Sequence, residues 1–226
     1  FNAADVVVLG RYASYASLAA VGSTTAIVNL MINLLIGISI GVNVLVARYL
    51  GEGDKQKELS EAVHTAVAVA LIGGVILGGI GCATASWILE LISTPEDIFD
   101  LARIYLIIYF LGTPAIAVYN YGAAILRARG DTQRPLLFLT VSGVTNVALN
   151  LLFVICFQMD VAGVALATVI SEVLSAVLVL VSLMRSQDEL AFSWRKLRIH
   201  RRSLSLMSKV GIPAGIQGCL FSLAHL

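Results

Sequence analysis

Charge is scarce in this sequence. Asp, Glu, Lys and Arg together make up 13% of its 226 residues, while 58% are hydrophobic. Soluble domains hold about 25% and about 45–50% of these classes. A chain of this size cannot hide so much apolar surface and still face water with polar groups, so lipid is its expected solvent. The net charge of +1 gives no field to steer a nucleic acid, and no nucleic-acid partner is expected. Cysteine is nearly absent. Cys82, Cys156 and Cys219 lie apart in apolar runs with no CxxC or Cys/His spacing, so they suggest neither a disulfide framework nor a metal site. Histidine is equally rare, and no His/Asp/Glu or Ser/His constellation falls inside the apolar runs, which leaves poor material for a membrane-embedded enzyme. No basic stretch precedes a short apolar run and a small-residue cleavage site, so no signal peptide is expected. The chain starts at Phe1 and stops at Leu226 within an apolar run, as expected of a piece of something longer.

What is present is a series of charge-free intervals. Tyr12 to Ala47, Thr65 to Leu89, Ile104 to Leu126 and Pro135 to Met159 contain no Asp, Glu, Lys or Arg. Val161 to Met184 contains only Glu172, and Val210 starts a further run. About 20 apolar residues let a helix cross the hydrocarbon. The first interval is therefore read as one span, centred in Leu18 to Leu45, and Phe1 to Leu9 as the end of an earlier helix. Uninterrupted runs of this length lack the alternation of barrel strands, and a helix satisfies its backbone polar groups locally. Five complete spans and two partial ones are expected, in an all-α polytopic membrane bundle.

Basic residues sort the loops. Of 15 Lys and Arg, 13 fall in three of them: around residues 48–57, 127–134 and 185–209. The intervening connections carry Glu90, Glu96, Asp97, Asp100 and Asp160. Every second loop is thus basic, which places those three loops in the cytoplasm by the positive-inside rule. Two of them share a pattern, Gly53-Asp54-Lys55-Gln56-Lys57 and Gly130-Asp131-Thr132-Gln133-Arg134. Convergent capping chemistry and a relic of internal duplication explain it equally well. In the stretch from Gln187 to Lys209, Trp194, Leu197 and Ile199 interleave with basic residues. The segment Arg195–Arg202 is expected to lie on anionic lipid headgroups.

Inside the spans, small residues recur four apart: Ala66, Ala70, Gly74 and Gly78; Gly163, Ala167, Ser171 and Ser175; Gly37 and Gly41. Such faces let backbones approach closely. Pro114 is expected to kink its span. Polar side chains in hydrocarbon need a reason. Asn146 and Asn150 share a helical face with Ser142 one turn earlier, and Thr168 and Glu172 form a second i, i+4 pair. Asp5 lies in an apolar stretch, where a buried carboxylate costs about 2.5–3.5 kcal/mol. Carboxylate, amide and hydroxyl oxygens suit Na⁺, and an apolar surrounding disfavours charge on a carboxyl, which makes proton exchange feasible. The paired asparagines can equally serve only as interhelical hydrogen bonds, worth about 0.6 kcal/mol each. Glu172, near the middle of its span, is read as functional, and His64, at a helix end, as interfacial.

The sequence Asp5-Val-Val-Val-Leu-Gly10 followed by Leu18-Ala-Ala-Val-Gly22 resembles the multidrug and toxic compound extrusion (MATE) family. So do Gly37-x3-Gly41 before Gly51-Glu-Gly-Asp54, Pro114 with Leu126-Arg-Ala-Arg-Gly-Asp131, Asn146-x3-Asn150, Gly163-Val-Ala-Leu-Ala-Thr168 and Gly211-Ile-Pro213. Their order covers nearly the whole chain. The resemblance implies one six-helix lobe of a twelve-helix transporter, with most of the first helix missing and the start of the seventh present. Residues 1–186 would be the N-terminal lobe, 187–209 a basic cytoplasmic linker and 210–226 the start of the C-terminal lobe, which would be its partner in the same full-length chain.

The same resemblance implies a cation-coupled antiporter in a prokaryotic cell membrane, using H⁺ or Na⁺ and no other cofactor, that exports amphipathic or cationic organic compounds. Asp5, Asn146, Asn150 and Thr168 would form the cation site. Asn150 stands where many relatives have Asp, which leaves Asp5 as the main ionisable ligand. Tyr105 would match a cavity tyrosine. Glu172 falls where relatives often have Gln. A lipid-linked saccharide flippase is the alternative transport reading, although such proteins carry more basic residues in their cavity. A non-transporting scaffold is another, but it gives no reason for Asp5 and the paired asparagines.

Overall fold

The computed structural model describes residues 2–186 and 188–224; Phe1, Gln187, His225 and Leu226, which bound several of the expected segments, lie outside the described residues. Eight α-helices follow one another: α1 (Asn2–Tyr12), α2 (Tyr15–Glu52), α3 (Gln56–Leu91), α4 (Glu96–Leu111), α5 (Thr113–Ala128), α6 (Gln133–Leu151), α7 (Val161–Met184) and α8 (Arg201–Ala224). The bulk of each expected charge-free interval falls on one of these helices or on the pair α4–α5, although Tyr12 belongs to α1 and Leu152–Met159 lie beyond α6. The helices run past the apolar intervals because a helix need not stop at the lipid boundary. At 1.5 Å per residue the 38 residues of α2 extend roughly 57 Å, well beyond the about 30 Å hydrocarbon layer. Its last turn is free to carry Arg48 and Glu52, which pair at 2.8 Å.

The expected kink is a break. Helices α4 and α5 meet at a 46° bend around Gly112, with Pro114 in the first turn of α5, where a missing N–H costs nothing. The small-residue face of α3 accepts this bend. A Cβ added at Gly74 would lie 2.5 Å from Pro114 Cα, and one added at Gly78 would lie 2.5 Å from the Phe110 carbonyl oxygen. Without glycine at both positions the broken span could not press so closely on its neighbour. The α7 stripe behaves alike, with Gly163, Ala167, Ser171 and Ser175 all buried.

Two features depart from the sequence-based expectation. The first is the end of the fifth span, where α6 opens after Leu151 into a π-helical turn, Leu152–Cys156, followed by Gln158 at φ 52°. The second is the polar stretch expected to remain a loop through Lys209, which is helical from Arg201. Arg201 and Arg202 are exposed while Ser203 and Met207 are buried, so the basic residues sit on the outer side of a helix rather than in a loop.

Before α8 the chain forms a strap across one end of the bundle. Arg129, after α5, pairs with Asp188, and Gln56 Nε2, on α3, donates to Glu189 Oε1 at 2.6 Å. These contacts put the three basic loops at the same end. His64, expected at the interface, is buried under this strap. Its Nδ1 lies 2.7 Å from the Ser60 carbonyl, and its Nε2 accepts from the Ser193 backbone N–H at 3.1 Å. The ring therefore carries its proton on Nδ1. Phe192 packs against it with ring centroids 5.4 Å apart, and Thr65 Oγ1 accepts from the His200 N–H at 3.1 Å. His64→Ala leaves the Ser193 N–H without its acceptor, a loss of about 1 kcal/mol or more. Amide exchange at Ser193 should quicken about fivefold or more in the full-length protein, as read by hydrogen-exchange mass spectrometry. Unchanged exchange would show that the strap is held elsewhere.

Candidate functional site

Four helices deliver the polar side chains of the spans to one point. Asp5 comes from α1, Tyr105 from α4, Asn146 and Asn150 from successive turns of α6, and Thr168 from α7. All five are buried. Asn150 Nδ2 donates to Asp5 Oδ1 at 2.8 Å. Thr168 Oγ1 lies 3.0 and 3.2 Å from the two carboxylate oxygens, and Tyr105 O–H donates to Oδ2 at 3.4 Å. Asn146 supports this inner set: its Nδ2 donates to Thr168 Oγ1 at 3.1 Å and its Oδ1 accepts from Asn150 Nδ2 at 3.3 Å. The spacing of Asn146 and Asn150 makes this possible, because residues four apart lie one above the other on a helix. Tyr109 stacks on Tyr105, with ring centroids 5.9 Å apart, and backs the tyrosine toward the carboxylate.

Counting donors and acceptors shows what the cluster can hold. Three side chains donate toward Asp5, so the carboxylate is satisfied as an acceptor. Asn150 Oδ1 is buried with no hydrogen-bond partner. An unpaired buried acceptor costs about 1–3 kcal/mol unless something at the site satisfies it. Hydroxyls on Thr168 and Tyr105 can rotate to present lone pairs in place of protons. The same side chains thus offer either donors to a bare carboxylate or oxygens to a cation, and hard cations take oxygen ligands. Asp5, Asn150 and Thr168 together have the oxygens to hold a proton or Na⁺. Ser142, one turn before Asn146, is also buried without a partner for its Oγ.

Glu172 does not join the cluster, although it lies one turn beyond Thr168 on α7. It lines a separate cavity with residues of α2, α5 and α6. The π-turn that begins two residues after Asn150 is a feature no residue pattern announced. Such turns are frequent at functional sites, and this one ends the α-helical run that presents both asparagines.

Comparison with known proteins agrees with this architecture. A family model described as MatE matches residues 1–152. The chain is 29% identical over 228 residues to a probable multidrug resistance protein, YoeA, of Bacillus subtilis (strain 168), covering 98% of this chain and 49% of that protein. It superposes on an inward-facing structure of a multidrug resistance MATE family transporter of the MOP superfamily with a TM-score of 0.90, at 25% identity, covering 99% of this chain and 50% of that one. An outward-facing structure of such a transporter gives a TM-score of 0.89 at 24% identity, a likeness of fold, covering 99% of this chain and 49% of that one. The chain spans about half the length of the relatives it matches.

Proposed function

Because the chain belongs to the MatE family of multi-pass membrane transporters, we propose that the full-length protein is a cation-coupled antiporter that exports amphipathic organic compounds, many of them cationic, across a prokaryotic cell membrane. The observation that carries this reading is the convergence of four helices on Asp5. A carboxylate buried in a membrane bundle is costly, and here it is held by three donors beside an unpaired amide oxygen. H⁺ or Na⁺ would enter at Asp5, with Asn150, Thr168 and Tyr105 reorienting around it and Asn146 fixing Asn150 and Thr168. Ion and substrate would drive the cycle by preferring opposite states, since a ligand shifts an equilibrium only through its differential affinity for the two.

The basic loops would face the cytoplasm, and the second half of the chain would close the translocation path. Similar superposition on inward- and outward-facing relatives supports a lobe that rocks as a unit, as in other transporters built from repeats. Full-length protein in liposomes should extrude a cationic dye when an inward H⁺ or Na⁺ gradient is imposed. Dye movement indifferent to both gradients would sink the antiport reading.

A further inference from the structure

Among the described residues Asp5 and Glu172 are the only buried carboxylates, and the Asp5 cluster leaves Glu172 unused. Glu172 is 8% exposed, and no ion pair among the described residues involves it. Among the described residues its one side-chain hydrogen bond is a 3.5 Å approach from Ser175 Oγ. That hydroxyl sits closer, at 2.8 Å, to the backbone oxygen of Glu172, so its single proton is committed there. The carboxylate is left facing a cavity of about 370 Å³ walled mainly by Ile32, Ile36, Ile116 and Leu139. A cavity of this size is in the range of small-molecule sites.

The polar edge of the cavity is one-sided. Tyr119 and Asn120 line it with Glu172: Tyr119 O–H donates to the Pro135 carbonyl at 2.9 Å, and one N–H of the Asn120 amide donates to the Ile116 carbonyl at 2.8 Å, which leaves that amide a second N–H. The charge at the cavity is of one sign, that of the Glu172 carboxylate, with Asn120 Oδ1 as a further acceptor. Among the described residues no Lys, Arg or His lines it. An apolar chamber with an uncompensated carboxylate complements a molecule with apolar bulk, one positive charge and N–H donors, because buried charges are stable only when paired.

We infer that Glu172 is a specificity-determining residue that receives the charged head of an amphipathic organic monocation in the cavity between α2, α5, α6 and α7, and that it selects such cations over neutral compounds of similar size. The inference rests on the export reading for its physiological setting but not on the coupling role of Asp5, since none of Asp5, Asn146, Asn150 or Thr168 lines this cavity.

Equilibrium binding tests it without any gradient. Purified full-length protein in detergent is titrated with ethidium, a permanent monocation with N–H donors, and in parallel with a neutral dye of similar size. Glu172→Gln should weaken ethidium binding tenfold or more and leave the neutral dye within about twofold. Glu172→Asp should keep ethidium within about threefold of the parent protein. Wild-type affinity for ethidium in Glu172→Gln overturns the inference. Equal loss of both dyes also overturns it, because that reports a collapsed cavity rather than charge recognition. Parent protein that binds no ethidium overturns it too, even if gradient-driven export holds. Absence of gradient coupling with ethidium still bound through Glu172 overturns only the antiport reading.

Discussion

Asp5→Asn should reduce ion-driven efflux by the full-length protein to the background of protein-free liposomes while the protein stays folded. The substitution keeps the size of the side chain and removes the one group in the cluster able to exchange a proton or balance a cation. It also turns an acceptor pair into an acceptor and a donor, facing Asn150 Nδ2, Thr168 Oγ1 and Tyr105 O–H, which all donate to the carboxylate. Two hydroxyls can rotate away, and the Asn150 amide can turn its unpaired oxygen inward, so the packing survives the change. Thr168→Val should act more mildly. It deletes one hydrogen bond to a charged group, worth about 1.5–3 kcal/mol, and should slow coupled transport about tenfold or more. The measurement is dye efflux from liposomes under imposed H⁺ and Na⁺ gradients, with size-exclusion profiles as the check on folding. Normal gradient-driven efflux by Asp5→Asn would remove the carboxylate from the mechanism.

Gly41→Val should cost the protein its integrity rather than its chemistry. Helices α2 and α8 run against each other with glycine on both sides of the contact. A Cβ at Gly41 would lie 2.8 Å from Gly211 N and closer still to the Met207 carbonyl oxygen; one at Gly37 would lie 2.5 Å from Gly215 N. The obstructing atoms are backbone, which cannot rotate aside as a side-chain tip would. Overpacking in a tight core costs about 1–3 kcal/mol and occasionally more. In lipid no hydrophobic force between helices remains to offset lost close packing. Full-length Gly41→Val should lose its monodisperse profile in detergent and its thermal transition should fall clearly below that of the parent. Gly73→Ala and Gly79→Ala are the matched controls, since an added Cβ there meets nothing within 4 Å; they should leave the transition in place. A Gly41→Val protein as stable as these controls would show that α8 does not seat on α2 this closely.

The spans were legible because lipid imposes a simple code: charge leaves the hydrocarbon, so charge-free intervals mark helices. Where charge and helix boundary part company the code fails. Arg201 and Arg202 look like loop residues in sequence, yet they begin α8, since a helix outside the hydrocarbon can carry charge on its open side. The π-turn at Leu152–Cys156 is a matter of backbone winding that its apolar side chains do not report. The paired shared punctuation is also only partly realised. Gly53 and Gly130 both adopt positive φ, but of the two aspartates it is Asp131 that receives a backbone N–H, from Arg134 at 3.1 Å.

For the candidate site, spacing alone showed that Asn146 and Asn150 share a face. Which helix that face meets is a long-range fact, carried in the sequence reading only by the family resemblance, and the structure brings Asp5, Tyr105 and Thr168 to it. Local pattern likewise paired Thr168 with Glu172, whereas the fold separates them, one to the Asp5 cluster and the other to the Ile32–Ile36 cavity. His64 sits near the end of an apolar interval, and no residue pattern around it signals that it is buried. Its burial follows from the strap folding back over it, which no window of sequence around residue 64 contains.

The broken span between α4 and α5 has a mechanical corollary. Gly74 and Gly78 let both arms of the bend rest directly on the α3 backbone, at Pro114 and Phe110. An elbow braced on both sides is a bracket and not a joint: torque applied to one arm is handed to α3 instead of straightening the other. Flexing of the helices is therefore expected elsewhere, and a disulfide engineered across Gly112 should leave dye binding by the full-length protein unchanged.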